Sequence, residues 1–158
     1  QVENLLKCCA RTGKKVVWLW PNIDAGSDKV SKAIRRYREL NKPNWLKLVK
    51  NFSPENYLRV LNKAVCAIGN SSSFVRDSSY FGTPVVLIGD RQQGREHAEN
   101  VLHVGYKEEE VFAAMSAQLK HGKYSPSTLY GNGTAGKQIA EHLSKIQPYL
   151  QKTLGYVK

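Results

Sequence analysis

Long apolar runs are missing from this 158-residue sequence. None approaches the roughly 20 residues a helix needs to cross a bilayer, and Gln1-Val2-Glu3-Asn4 lacks the basic-then-apolar layout of a secretory signal. A cytoplasmic protein without membrane contact is expected. Cysteine is scarce: Cys8 and Cys9 are adjacent and Cys66 lies in an apolar stretch, a set that neither pairs neatly nor has metal-ligand spacing. Buried thiols are the expectation, and no metal. His97, His103, His121 and His142 are dispersed, without paired carboxylates or a Cys/His cluster, and no nucleophile-base pair stands out. Gly-x-Gly-x-x-Gly and the Gly-Lys-Ser/Thr phosphate loop are both absent, which argues against simple NAD or ATP binding. No cofactor is expected.

Acidic residues are also few, 13 against 24 lysines and arginines, for a formal charge of +11. Much of the excess lies between Asp28 and Lys63, mostly on a polar helix face. A basic surface can bind nucleic acid by releasing counterions. No nucleic-acid module accompanies this one, and Tyr37, Trp45 and Tyr57 fall at positions suited to packing, so no nucleic-acid partner is expected. A phosphate-bearing substrate or an acidic partner domain accounts for the sign equally well.

What is present is a regular alternation. The content, 41% hydrophobic and 23% charged, fits a folded domain. Leu5, Leu6 and Cys9 make a helical stripe before Gly13, and Val16 to Trp20 is an apolar, buried strand. Helical spacing from Ser27 to Leu40 precedes a short strand at Trp45 to Val49. Ser53-Pro54-Glu55 then supplies an N-cap, a first-turn proline and an acid for another helix. Ala64 to Ile68 predicts a strand, Ser73 to Phe81 a helix stopped by Gly82, Pro84 to Ile88 and Val101 to Val104 strands, and Glu108 to Lys120 a helix. After turns between Tyr124 and Gly133, Thr134 can cap a helix running through Ile139, Leu143 and Ile146 to Pro148. Apolar strands separated by helices predict a three-layer Rossmann-like α/β domain with one parallel sheet. No linker or repeat interrupts it, so residues 1–158 are expected to be a single domain, with about 147–158 a C-terminal helical tail. The first residue is Gln rather than Met, and the sequence is expected to be a piece of something longer.

Ligands of such sheets sit beyond the carboxyl ends of the strands, where loops 21–26, 51–53, 69–73 and 89–96 emerge. Gly69-Asn70-Ser71-Ser72-Ser73 joins a strand to a helix, so backbone N–H groups and serine hydroxyls can converge on an anion. An ordinary N-cap would need only one serine. Asp90 to Glu96 holds Arg91 and Arg95 about a flexible Gly94, suited either to clamping oxygens or to solvation. Asp77 can accept from ribose hydroxyls or stabilise the helix N-terminus. Asn22, Asp24 and Ser27 can bond a sugar or base, or simply shape a turn.

Taken together, Pro21-Asn22-Ile23-Asp24-Ala25-Gly26, Gly69-Asn70-Ser71-Ser72-Ser73, Phe81-Gly82-Thr83-Pro84-Val85-Val86, Arg91-Gln92 with Gly94-Arg95-Glu96, Asn100-Val101 and Tyr130-Gly131-Asn132-Gly133 resemble the hydrolysing UDP-N-acetylglucosamine 2-epimerases, in order and spacing, to about residue 146. The resemblance implies a UDP-binding, C-terminal Rossmann-like half of a two-domain enzyme with the GT-B arrangement. The catalytic carboxylates are then expected in an N-terminal half, and the full enzyme is expected to be a homo-oligomer. The implied reaction eliminates UDP from UDP-GlcNAc and hydrates the glycal to N-acetylmannosamine, which feeds sialic-acid-type pathways. Ser71, Ser72 and Ser73 would hold the β-phosphate with Arg91 as a clamp, Asp77 the ribose, Asn51 and Phe52 the uracil, and Asn22 with Asp24 the cleft wall. Two positions depart from the family: Asp77 stands where Glu is usual and Phe74 where many members have Gly. A UDP-sugar-binding half of a GT-B glycosyltransferase, or a non-catalytic nucleotide-binding module, are the alternatives.

Overall fold

The computed structural model describes residues 1–22, 26–148, 151 and 155. Its elements, in order, are α1 (Val2–Arg11), β1 (Val16–Leu19), α2 (Ser27–Asn41), β2 (Leu46–Val49), α3 (Pro54–Lys63), β3 (Ala67–Gly69), α4 (Ser72–Phe81), β4 (Val85–Ile88), β5 (Val101–Val104), α5 (Glu108–His121) and α6 (Ala135–Leu143). Local chemistry fixes many of the boundaries. Ser53 accepts the N–H of Asn56 to cap α3, with Pro54 in the first turn. Helix α4 ends where Gly82 turns left-handed at φ 63°. A side chain at Gly82 would also collide with the Tyr124 carbonyl group, whose carbon would lie 2.8 Å from the new Cβ.

Every strand pair is parallel, as the apolar runs predict. The strands form two sheets, β1-β2 and β3-β4-β5, rather than the one expected. Between β1 and β3 lies a cleft of about 1230 Å³, lined by residues 16–20 on one side and 65–69 on the other. Helix α1 contacts α2 and α5, whereas α3 contacts α4, so helices cover both faces. On one face Cys8, Cys9, Val111 and Met115 pack with Val86, and on the other Leu61, Val75 and Val85 pack with Leu87 and Val101. Burial pushes the Cys9 and Cys66 thiols up to about 12, because a thiolate there would be cut off from water.

Four expectations need correction. Strand β1 is not buried on both faces: Val17 is 47% and Leu19 36% exposed, because the cleft leaves their side without cover. Ala64 to Cys66 is not strand. The Ala64 N–H continues the α3 ladder to Val60 and Leu61, so β3 starts only at Ala67. The segment 90–96 is not wholly a solvated loop, since Asp90–Gln92 winds a 3-10 turn that buries Gln92. In the tail, Gln147, Pro148 and Gln151 are not helical, and 149–150, 152–154 and 156–158 lie outside the described residues.

Candidate functional site

Within each sheet the strands are parallel, and the loops that follow β1, β2, β3 and β4 all reach the mouth of the cleft. Asn22, Phe52, Ser71, Ser72 and Arg91 all line it. Asp24 lies outside the described residues. Asn51, Ser73 and Asp77 are not on the cleft wall. Asn51 is exposed and its Oδ1 accepts the Phe52 N–H at 2.9 Å, bending the chain toward the site.

The serine loop is both a cap and an array of donors. Ser71 is the N-cap of α4, and its Oγ accepts the Ser73 N–H at 3.3 Å. The Ser71 and Ser73 hydroxyls lie 3.1 Å apart, and Ser73 in turn bonds the Tyr57 hydroxyl. Ser72 Oγ accepts from Arg76 at 3.4 Å. A hydroxyl that accepts still has its hydrogen to donate. If Tyr57 donates to Ser73 and Ser73 to Ser71, the Ser71 proton is left pointing outward, toward any anion at the helix start. Burial raises the Tyr57 pKa and the Asp77 charge adds to the rise, while the Ser73 bond opposes it, so the phenol stays protonated.

Two supporting residues escape sequence reasoning. Gln92 is 7% exposed, and its Nε2 donates to the Asn70 carbonyl at 3.0 Å, tying the arginine turn to the serine loop. Its Oε1 is buried without a hydrogen-bond partner among the described residues. Nothing in a Gln-Gln pair among charged residues signals this. Tyr57 has the spacing of a core residue, and that pattern hides its polar end. Phe74, the departure from the family glycine, packs partly buried against the core, and a Cβ on Gly69 would lie 3.2 Å from its ring. Gly69 (φ 147°) therefore answers Phe74: the loop passes over the ring because it carries no side chain there.

Asn100 is structural. It is 2% exposed and donates to Ser78 Oγ at 2.9 Å and to the Thr83 carbonyl at 2.7 Å, fixing β5 against the end of α4. The Tyr130 hydroxyl bonds the Glu96 carbonyl, which holds the Tyr130-Gly131-Asn132-Gly133 turn to the arginine segment. Among the described residues no group of His, Cys, Asp and Glu is placed to hold a metal ion, and no helix is long and apolar enough to cross a membrane.

Known proteins share this arrangement. The UDP-N,N'-diacetylbacillosamine 2-epimerase (hydrolyzing) of Legionella pneumophila is 24% identical over 151 residues, covering 96% of this chain and 39% of that protein. The UDP-N-acetylglucosamine 2-epimerase of Neisseria meningitidis is 23% identical over 90% of this chain and 38% of its own length. The chain thus spans about two fifths of these relatives. The crystal structure of Methanocaldococcus jannaschii UDP-GlcNAc 2-epimerase in complex with UDP-GlcNAc and UDP matches with TM-score 0.70 at 18% identity, over 90% of this chain and 39% of that one. The fold is therefore the Rossmann-like α/β fold of that GT-B-type enzyme. The family described as UDP-N-acetylglucosamine 2-epimerase matches residues 1–144, and the chain belongs to it.

Proposed function

We propose that this chain is the C-terminal, UDP-binding domain of a cytoplasmic, homo-oligomeric UDP-GlcNAc 2-epimerase of the hydrolysing type, one half of a GT-B-type pair of domains. The observation that carries the proposal is the convergence of the Ser71 cap, Ser72 and Arg91 at the mouth of one cleft, with Asn22 and Phe52 on its rim. The relative solved with UDP-GlcNAc and UDP supports the choice of ligand.

Breaking the bond from C1 of the sugar to the diphosphate builds negative charge on the β-phosphate. The start of α4 and the Ser71 and Ser72 hydroxyls stabilise that charge without reorganising, because Ser73, Tyr57 and Gln92 already hold the loop. Arg91 adds a cation, and Asp77, on α4 outside the cleft wall, is the acid for ribose hydroxyls that extend past the mouth. Phe52 borders the uracil and Asn22 closes the wall. The carboxylates that move protons on the sugar, completing elimination and hydration to N-acetylmannosamine, belong to the N-terminal domain. A sialic-acid-type pathway consumes the product, in keeping with the 26% identical polysialic acid biosynthesis protein P7 of Escherichia coli, matched over 66% of this chain and 26% of that protein. The glycosyltransferase alternative is disfavoured by α4, where Asp77 is the sole acid and no Glu follows deeper in the helix.

Calorimetric titration with UDP, UDP-GlcNAc and single-stranded RNA tests the proposal. UDP binds, RNA does not, and Ser72→Ala and Arg91→Ala each weaken UDP by about 1–3 kcal/mol. Unchanged affinity in both variants, or RNA binding with a steep salt slope in place of UDP, overturns it. The chain alone turns over no UDP-GlcNAc.

A further inference from the structure

The cleft between β1 and β3 is a gap within a sheet. Strand β1 pairs with β2 and β3 with β4, and the other edge of each borders the cleft. The N–H groups of Val16 and Trp20 donate to the carbonyls of Trp45, just before β2, and Val49, at its end, so by strand alternation the peptide groups of Val17 and Leu19 point into the cleft. The Ala67 N–H donates to Pro84 beside β4, so Ile68 points into the cleft from the opposite side. Two strand edges whose peptide groups find no partner among the described residues therefore face each other across the cleft.

The walls have the character of a sheet interior. Val17, Leu19, Val60 and Val65 line the cleft, and Val65 is 60% exposed. One face is floored by Leu5 and Cys9 of α1 with Met115 and Leu119 of α5. A residue in a sheet occupies roughly 3.3 Å of rise, 4.8 Å of width and 10 Å of thickness, about 160 Å³. The 1230 Å³ of the cleft is then room for about eight extended residues.

Handedness says which strand belongs there. Helix α2 carries the chain from β1 to its parallel neighbour β2, on the face where α1 contacts both α2 and α5. Helix α1 lies on that same face and leads into β1. A right-handed crossover through α1 starts from a strand beside β1 on the side away from β2, which is the cleft. From β2 the chain reverses direction, and α3 lies with α4 on the opposite face, as the same rule requires.

We infer that a parallel β-strand, carried by the polypeptide leading into α1, fills this cleft and joins the two sheets into one of order β2-β1-X-β3-β4-β5. This rests on the reading of the chain as part of a longer enzyme. The inserted strand X is apolar on both faces. Its carboxyl end emerges between Asn22 and the serine loop, at the point where the sheet order reverses.

The test compares the 158-residue chain with a version extended at its N-terminus by the roughly 15 natural residues encoded upstream, enough for one strand and its turn. Amide hydrogen exchange is read at Val17, Leu19 and Ile68, and UDP is titrated separately. The extension is expected to slow exchange at these amides by about tenfold or more. A proline in the middle of the added strand should abolish the gain, because it removes a ladder donor. Unchanged exchange with the extension overturns the inference, even where UDP binds. So does protection that appears in the unextended chain with rising concentration, which would put a second copy in the cleft, or with UDP alone, which would put the nucleotide there. Loss of UDP binding with the exchange gain intact refutes the functional proposal instead and leaves the strand standing.

Discussion

Replacing Gln92 by leucine separates holding the site from holding the fold. Gln92 is buried, donates to the Asn70 carbonyl at 3.0 Å and leaves its own Oε1 without a partner among the described residues. Leucine keeps most of the volume and deletes both polar ends. Losing one neutral hydrogen bond removes about 1 kcal/mol, and Asn70, being exposed, can pass its carbonyl to water. Deleting the unpaired Oε1 recovers about 1–3 kcal/mol of desolvation. Global stability in urea should therefore stay within about 1 kcal/mol of the parent, with a small gain as the expected sign. The binding side behaves differently, because an untethered Asn70 must be fixed again each time the loop closes on phosphate. Fixing one backbone residue costs about 1–2 kcal/mol, so UDP should bind about 5- to 30-fold more weakly by calorimetry. A stability loss above about 3 kcal/mol with unchanged affinity would show that Gln92 is a packing residue and refute the tether.

Gly82→Ala should destabilise the protein by about 2–5 kcal/mol in urea unfolding, summing the left-handed backbone and the overlap with Tyr124. A loss below about 1 kcal/mol would mean that the segment after α5 yields without penalty. Cys9 and Cys66 keep their protons until about pH 12 in the folded chain, whereas an unfolded thiol ionises near 9. Below pH 9 both states are protonated and the thiols are neutral for stability. Between 9 and 12 the unfolded state binds fewer protons, so stability falls as pH rises, by at most about 1.4 kcal/mol per unit per thiol. Urea midpoints at pH 8 and 10 in the parent and in Cys9→Ala with Cys66→Ala check this, and an equally steep fall in the double variant would contradict it.

The alternation of helices and strands was legible because caps and breakers are local. Ser53-Pro54, Gly82 and the apolar run at Val85 each act within a few residues. The convergence of four loops was legible too, since each leaves the carboxyl end of a strand in a parallel array. What escaped depends on contacts distant in sequence. Gln92 reaches back 22 residues to Asn70, and Tyr57 reaches forward 16 to Ser73. Neither side chain has a pattern that separates it from surface polarity or from core. Helix α6 is the reverse case: Ile139 and Leu143 have core spacing, yet they are 58% and 64% exposed.

The exposed positions carry more information than the buried ones. Val17 and Leu19 have the composition of a strand covered on both faces, and the structure leaves them beside a cleft. Fully burying a Val or Leu is worth about 1.5–3 kcal/mol, and these two together with Val60 and Val65 average somewhat under half exposed. Covering all four would release about 3–5 kcal/mol, against a typical domain's net stability of about 5–15 kcal/mol. Evolution does not ordinarily leave that much apolar surface beside unmet backbone groups. Composition that fits a neighbour the structure does not contain is best explained by the neighbour. The serine loop borders the same gap. A strand that closes the gap would hold the loop's root at Gly69 from a second side, so completing the sheet and gripping the nucleotide become one thermodynamic event, and each must strengthen the other by the same factor.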